Sequence, residues 1–245
     1  VVGRFFGGSE KTGMGWDGVD YNTAYGIDGA DRRYNPAGEY TTTAADGSDS
    51  TAYYPNQTDN YAQQHAQLSV LHRFTPQWSL SATAHYTHGA GYYEQYKRKK
   101  LSYWGLPYSH KAYGMYRKQL DNHFFGGVVA AKYISEPVDV QFGGAANYYM
   151  GDHFGTLHYL EDSLILPINY EYYRNDAKKT DANIYAKANW RIINRAQEQL
   201  SLYADLQYRY VRYERNGMND EDMTDLPLEV NFHFFNPKAG LTYQN

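Results

Sequence analysis

Alternating apolar and polar side chains along much of the chain predict long β-strands. From Ala62 to Phe74 the even positions are mainly apolar and the odd positions mainly polar, and the alternation resumes at Trp78. A period of two places successive side chains on opposite faces of a strand. Such runs exceed the strand length of about five or six residues that is most common in globular proteins, and they suit tilted membrane strands of about ten residues.

The pattern predicts an all-β fold in which short turns alternate with long polar loops. The predicted strands are 61–74, 78–92, 122–134, 138–150, 182–193, 199–213 and 231–244, and residues 1–6 are interpreted as the end of an eighth. The predicted long loops are roughly 94–120, 151–180 and 214–230. Antiparallel transmembrane β-barrels have this layout, with short periplasmic turns and long extracellular loops.

The positions of charged residues predict which face of each strand meets lipid. Lys187 and Arg191 share one face of strand 182–193, and each would cost about 2–4 kcal/mol at the middle of a bilayer. The opposite face, with Trp190 and Ile192, is therefore expected to face lipid. In strand 122–134 apolar residues occupy both sets of alternating positions, so its faces stay unassigned.

The inward positions carry long polar side chains. Those on two neighbouring strands are Lys187, Arg191, Asp205, Gln207 and Arg209. The interior of an eight-stranded barrel is just wide enough to be filled by side chains. A polar lining of this size instead suits a wide lumen, so we expect about seven or eight strands of a larger barrel.

Composition supports a β-structure with wet and dry boundaries. Aromatic residues make up 17% of the chain and include 28 tyrosines, a side chain that favours strands and membrane interfaces. The net charge of −4, without a basic stripe, argues against nucleic-acid binding. No segment approaches the roughly 18 apolar residues of a transmembrane helix. A soluble, tyrosine-rich all-β binding module stays open as an alternative.

Motifs for catalysis and metal binding are not found. The chain has no cysteine, and it contains no nucleophile elbow, phosphate-binding glycine loop or zinc-protease motif, so we expect neither an enzyme nor a cofactor. His85 and His88 are three residues apart on a strand, so they point to opposite faces and cannot share a metal. His153 and His158 are interpreted as solvated loop residues.

An acidic patch lies in the last predicted loop. It comprises Asp220, Glu221, Asp222 and Asp225. The patch lacks the glycine and the spacing of an EF-hand loop. The sequence therefore predicts no specific metal site there, and leaves only a loose cation contact with lipopolysaccharide.

Aromatic residues in the loops are the candidates for ligand contact, because aromatic rings stack on ligands and tyrosine also forms hydrogen bonds. Tyr92 and Tyr93, at a predicted strand end, are interpreted as part of an aromatic girdle. The candidate ligand-binding residues lie well inside predicted loops, with simple loop packing as the alternative: Trp16, Tyr53, Tyr54 and Trp104.

Several short segments, spread in order over nearly the whole chain, carry a family resemblance. They are 13–19, 33–40, 56–61, 85–96, 120–126, 151–155, 205–209 and 235–241. Together they resemble the barrel part of TonB-dependent outer-membrane receptors, especially those of Bacteroidetes. The match is specific to this family but not to one ligand.

The resemblance implies a barrel of about 22 strands around an N-terminal plug. Residues 1–245 are then expected to be part of that barrel domain, without the plug or the C-terminal strands. The implied partners are outer-membrane lipid and lipopolysaccharide, the TonB complex acting through the plug region, and a small-molecule or metal-chelate ligand. The expected cargo is a ferric siderophore, haem, cobalamin or a glycan. A passive porin or a structural outer-membrane barrel is the alternative.

Overall fold

Ten strands account for most of the chain, in a computed structural model that describes residues 1–220, 222–225 and 227–245. The strands are β1 (Val2–Gly13), β2 (Glu39–Thr43), β3 (Asp49–Tyr53), β4 (Thr58–Arg73), β5 (Trp78–Lys100), β6 (Lys111–Ile134), β7 (Val138–Leu160), β8 (Tyr170–Arg195), β9 (Glu198–Gly217) and β10 (Leu228–Gln244). Strands β1 and β4 to β10 form one antiparallel sheet in chain order, and β2 and β3 form a separate hairpin.

The long strands confirm the predicted β-architecture, but they are longer than the sequence predicted. The segments 94–120, 151–180 and 214–230 were expected to be loops, and the structure shows that this is wrong for most of the first two segments and for both ends of the third. Most of their residues continue the strands, which leaves short connections at 101–110, 161–169 and 218–227. The backbone ladder continues because it needs only a neighbouring strand, whereas the apolar alternation that predicted the strands stops earlier.

The sheet has a turn end and a loop end. The turn end carries the short turns that follow β4, β6 and β8, and the loop end carries the longer connections, including residues 14–57. Helices occur only as short pieces in the part of the chain that the structure describes: α1 (Tyr21–Tyr25) and two 3₁₀ turns at Ile27–Gly29 and Leu101–Trp104. None of these described helices is long and apolar enough to cross a bilayer.

Strand register separates a polar face from an apolar face. Lys187 lies opposite Gln141 on one side and Asp205 on the other, which places all three on the polar face. Trp190 pairs with Val138 on the apolar face. The prediction that Lys187 and Trp190 point in opposite directions is therefore confirmed.

The structure also assigns the faces of β6, which the sequence left open. Phe125 lies opposite Tyr86 and packs against the Tyr148 ring at 5.6 Å, so it belongs to the apolar face. Phe124 packs against the His85 ring at 4.9 Å on the polar face. Apolar residues on both faces made the sequence pattern ambiguous, and pairing with neighbouring strands resolves it.

An apolar band crosses the apolar face at the turn end. In β5 it runs from Trp78 to Tyr86, close to the roughly 9–11 residues that a tilted membrane strand needs. Large side chains in the band are open to the surroundings, with Ile184 66% and Trp190 51% exposed. Contiguous exposed apolar surface of this kind marks an interaction with a membrane or a partner. Because β5 has 23 residues, more than half of the strand lies beyond the band.

Candidate functional site

Two hydrophobic clusters form at the loop end, where loops fold onto the polar face. The first consists of Trp104, Tyr116, Leu157, Tyr172 and Tyr173. The second consists of Leu101, Leu106 and Ala112, and it packs against leucines of the 161–169 loop. These clusters hold the 101–110 and 161–169 loops over the sheet, which otherwise has few buried residues among those described.

A glycine allows the Trp104 ring to lie directly on the sheet. A Cβ atom at Gly114 would be 2.5 Å from the edge of the Trp104 ring and 3.1 Å from a methyl group of Leu157. Such contacts are too close for any side chain. The absence of a side chain at this point of β6 therefore determines where the 101–110 loop is anchored.

Beside these clusters, a pocket of about 240 Å³ opens on the polar face. Its polar lining includes Tyr61, Tyr93, Lys118, His153 and Asp220. The Nζ atom of Lys118 lies 2.5 Å from an Asp220 carboxylate oxygen. A second pocket of about 340 Å³ shares Tyr61 and continues along β1 and β4. The two pockets combine aromatic rings with a few charged groups, as small-molecule sites do.

Three lysines lie on the polar face at the loop end, and one of them, Lys118, lines this pocket. Lys97 pairs with Asp17 at 3.0 Å, and Lys118 pairs with Asp220. Lys99 lies 5.0 Å from the centre of the Tyr103 ring, and no carboxylate of the described residues lies within ion-pair distance of it. The alternation of β5 places Arg98, between Lys97 and Lys99, on the opposite face.

The β2–β3 hairpin packs against the apolar face at the loop end, beyond the apolar band. Tyr40 meets the Tyr96 ring at 5.0 Å, and the Tyr54 hydroxyl donates a hydrogen bond of 2.5 Å to Glu94. Arg117 donates from Nε to the other Glu94 oxygen at 2.6 Å. Burial and the adjacent Glu94 carboxylate raise the pKa of Tyr54 to about 12. Glu94 therefore joins the hairpin to the sheet.

Glu94→Gln is expected to loosen the β2–β3 hairpin. The Glu94 side chain is only 5% exposed, and the change replaces its carboxylate by a neutral amide with one acceptor oxygen, which costs charge-assisted hydrogen bonding worth on the order of 2 kcal/mol. Limited proteolysis should cut the 39–53 segment faster. The matched control is Glu229→Gln, which breaks an exposed pair with Arg212 and should leave the cleavage rate unchanged. Equal rates in both variants would contradict the role given to Glu94.

The structure separates the four predicted ligand-binding residues. Trp16 is 56% exposed and contacts the Tyr93 ring edge-on at 4.8 Å, beside the polar-face pocket. Tyr53 is 51% exposed on the hairpin, and Tyr54 is directed towards Glu94. Trp104 is fully buried, which favours the packing alternative for this residue. Ligand contact by Trp16, Tyr53 and Tyr54 stays a prediction.

Two further expectations about aromatic and histidine residues are wrong. Tyr92 and Tyr93 lie within β5 rather than at its end, and the alternation of β5 places Tyr93 on the polar face and Tyr92 on the opposite face. A role of these residues in an aromatic girdle stays a prediction. His153 and His158 lie in β7 rather than in a loop, and His158 is hydrogen-bonded to Thr156 at 2.9 Å. Both errors follow from the underestimated strand length.

The prediction that His85 and His88 point to opposite faces of one strand is confirmed. His85 lies on the polar face, where Nε2 is 2.9 Å from the Asn147 side-chain oxygen. His88 lies on the apolar face, where it meets Asp121 and His123 of β6. The sequence did not predict this cluster, because a long connection separates β5 from β6 and leaves their register undetermined.

The predicted acidic patch is divided in the structure. Asp220 binds Lys118, and Asp222 accepts hydrogen bonds from the backbone and side chain of Thr224. These hydrogen bonds lower the pKa of Asp222 below its usual value. Glu221 lies outside the described residues.

Comparison with known proteins identifies the family. The family described as "TonB dependent receptor-like, beta-barrel" matches residues 5–245. The chain belongs to the TonB-dependent receptor β-barrel family. Its open eight-stranded sheet is a segment of such a receptor barrel. The expected restriction to Bacteroidetes stays a prediction.

A solved receptor has a similar fold. The chain is similar to the crystal structure of the siderophore receptor PiuA from Acinetobacter baumannii, with a TM-score of 0.50 and 13% sequence identity. The similarity covers 84% of this chain but only 34% of PiuA. Among curated proteins, none matches the chain. At this identity the likeness to PiuA shows a TonB-dependent receptor fold and not a shared ligand.

Proposed function

We propose that the chain is part of an outer-membrane receptor that binds a scarce nutrient at its loop end and imports it with energy supplied through TonB. The observation that carries this proposal is the difference between the two faces of one sheet. The apolar face has a band of the height of a bilayer, and the polar face has a pocket beyond that band, lined by tyrosines and by Lys118. In a soluble binding module this apolar band would be exposed to water, which is unfavourable for a contiguous apolar surface of this size.

The proposed orientation follows from the band. Membrane lipid covers the apolar residues, the short turns lie in the periplasm, and the loop end projects outside the cell with lipopolysaccharide around its base. A shallow groove of about 680 Å³ in the band is lined mainly by alanine, glycine, valine and isoleucine, which suits lipid chains. The polar face lines the lumen, in which the family holds its plug.

A lysine on the polar face that has no carboxylate within ion-pair distance among the residues that the structure describes, Lys99, favours an anionic ligand. Lys97, Lys99 and Lys118 lie on the same face, Lys118 lines the pocket, and no carboxylate of the described residues lies within ion-pair distance of Lys99. Tyrosine rings such as Tyr61 and Tyr93 provide stacking and hydrogen-bonding surfaces. The similarity to a siderophore receptor makes an anionic ferric siderophore the first cargo to test, before haem, cobalamin and glycans.

Uptake in the native bacterium tests the proposal. A strain in which the complete receptor gene is deleted is compared with the complemented strain for uptake of labelled ferric siderophores, haem, cobalamin and oligosaccharides. We expect uptake of one class to fall at least about tenfold on deletion, and to fall equally in a strain without TonB. Deletion-sensitive uptake that persists without TonB would establish a passive porin. No loss of any class would overturn the transport function.

Lys99→Met is expected to weaken capture of an anionic ferric siderophore about fivefold, which corresponds to about 1 kcal/mol for an exposed charge interaction. The matched control is Arg98→Met, which removes the same charge from the opposite face of β5 and should leave affinity unchanged. Binding is measured by ligand-induced fluorescence quenching on the purified full receptor. Equal affinity of the two variants would remove Lys99 from the proposed site.

A further inference from the structure

A cluster of two histidines and one aspartate lies on the apolar face, immediately beyond the apolar band. His88 and His123 are directly opposite each other on β5 and β6, and Asp121 lies two residues before His123 on the same face. The ligand atoms of the three side chains all lie within 4.8 Å of one another. Of the residues that the structure describes, no other group of three such side chains comes together in this way.

The distances are close to those of a metal centre. The His88 Nε2 atom lies 2.8 Å from Asp121 Oδ1, and His123 Nε2 lies 3.8 Å from the same oxygen. Ligand atoms around a tetrahedral zinc ion are about 3.3 Å apart, because Zn–N bonds are about 2.0–2.1 Å long. Small rotations of the side chains therefore suffice to place all three donors around one ion.

The second nitrogen of each imidazole provides an independent observation. His123 Nδ1 lies 2.7 Å from the Tyr86 hydroxyl oxygen, and His88 Nδ1 lies 3.4 Å from the Gln64 side-chain oxygen. The Gln64 oxygen accepts a hydrogen bond from His88 Nδ1 and the Tyr86 hydroxyl can accept one from His123 Nδ1, so both imidazoles can present Nε2 to a metal ion beside Asp121. Histidines that bind metals are oriented by such outer hydrogen bonds.

We propose that His88, Asp121 and His123 bind one divalent transition-metal ion, for which zinc is the expected metal, on the outer surface of the barrel. Imidazole nitrogens with one carboxylate suit zinc or copper rather than magnesium or calcium. The three side chains are 32%, 50% and 37% exposed, which leaves a fourth coordination position open to water. The ion links β5 to β6 where these strands leave the apolar band. This site is separate from the polar-face pocket and does not depend on the proposed transport function.

Zinc titration of the full receptor, purified in detergent and stripped with a chelator, tests the site. We expect the wild type to bind one zinc ion more per molecule than the double variant His88→Gln/His123→Gln, in competition with a fluorescent chelator. His85→Gln, on the polar face of the same strand, is the matched control and should keep the extra ion. Cobalt bound in place of zinc should give the visible absorption of a tetrahedral site only when His88 and His123 are present.

Two further variants, with different expected losses of zinc affinity, distinguish loss of a ligand from misfolding. Tyr86→Phe removes one outer hydrogen bond and should weaken zinc binding about tenfold, whereas Asp121→Asn removes a ligand and should weaken it at least about 100-fold. Every variant is first checked for the heat-dependent gel shift of a folded barrel. The same zinc stoichiometry in the wild type and the folded double variant, or the same zinc affinity in the wild type and folded Asp121→Asn, would overturn the proposal and leave a His88–Asp121 hydrogen bond only.

Discussion

Ala82→Arg is expected to prevent stable insertion of the barrel, whereas Ser81→Arg, one residue earlier on β5, is expected to insert normally. Ala82 lies at the middle of the apolar band, between Val70 and Val129 of the neighbouring strands. Ser81 points to the polar face. An arginine that faces lipid at the midplane costs about 2–4 kcal/mol, and in the lumen it stays in contact with water.

The measurement is the amount of heat-modifiable receptor in isolated outer membranes. Ala82→Arg should lower that amount several-fold, and Ser81→Arg should leave it within the error of the wild type. Because the two variants add the same side chain to adjacent residues, a general effect of arginine on expression would affect both. An equal fall in both would mean that the apolar face is not the lipid face.

Trp104→Ala is expected to release the 101–110 loop from the polar face. Trp104 is fully buried against Tyr116 and Leu157, and truncation of a buried tryptophan typically costs about 3–5 kcal/mol. The long strands do not depend on this cluster, so the loss should appear as local opening and not as unfolding of the barrel. Hydrogen exchange should therefore become faster in 101–110 and 161–169 and stay slow in β5 and β6.

Trp16→Ala is the matched control for this prediction, because Trp16 is 56% exposed and contacts the sheet mainly through Tyr93. It should leave hydrogen exchange in 101–110 unchanged. Ligand binding gives a second distinction. Trp104→Ala should weaken binding only as far as the loop opens, whereas Trp16→Ala should weaken it without any change in loop exchange. Unchanged exchange in Trp104→Ala would show that the cluster does not anchor the loop.

The strand pairs at the turn end were predictable because one physical constraint acts on every second residue there. Side chains of the apolar band, such as Leu80 and Ala84, must avoid water, and Thr83 between them must avoid lipid. This constraint produces the alternation of apolar and polar residues in the sequence. It also predicted that Lys187 and Trp190 point to opposite faces, which the register confirms.

The upper halves of the same strands were not predictable in this way. Beyond Tyr86 both faces of β5 carry polar groups, for example His88 on one and Thr87 on the other, so no alternation of hydrophobicity remains. The structure keeps these residues in strands through backbone pairing and through contacts between rings, such as Tyr96 with Tyr113 at 5.2 Å. Those contacts join residues of different strands and leave no local pattern.

The sequence by itself determined the all-β class, the alternation of turns and longer connections, and the two faces of most strands, because these follow from the period of two and from the cost of placing charge in lipid. Only the tertiary structure decided strand length, the faces of β6, and the residues that share a site. Trp104 became a core residue because Gly114 leaves room for its ring. His88 lies beside Asp121 and His123 because the register of β5 and β6 places His123 directly opposite it and Asp121 two residues away on the same face, and register is a property of the paired strands.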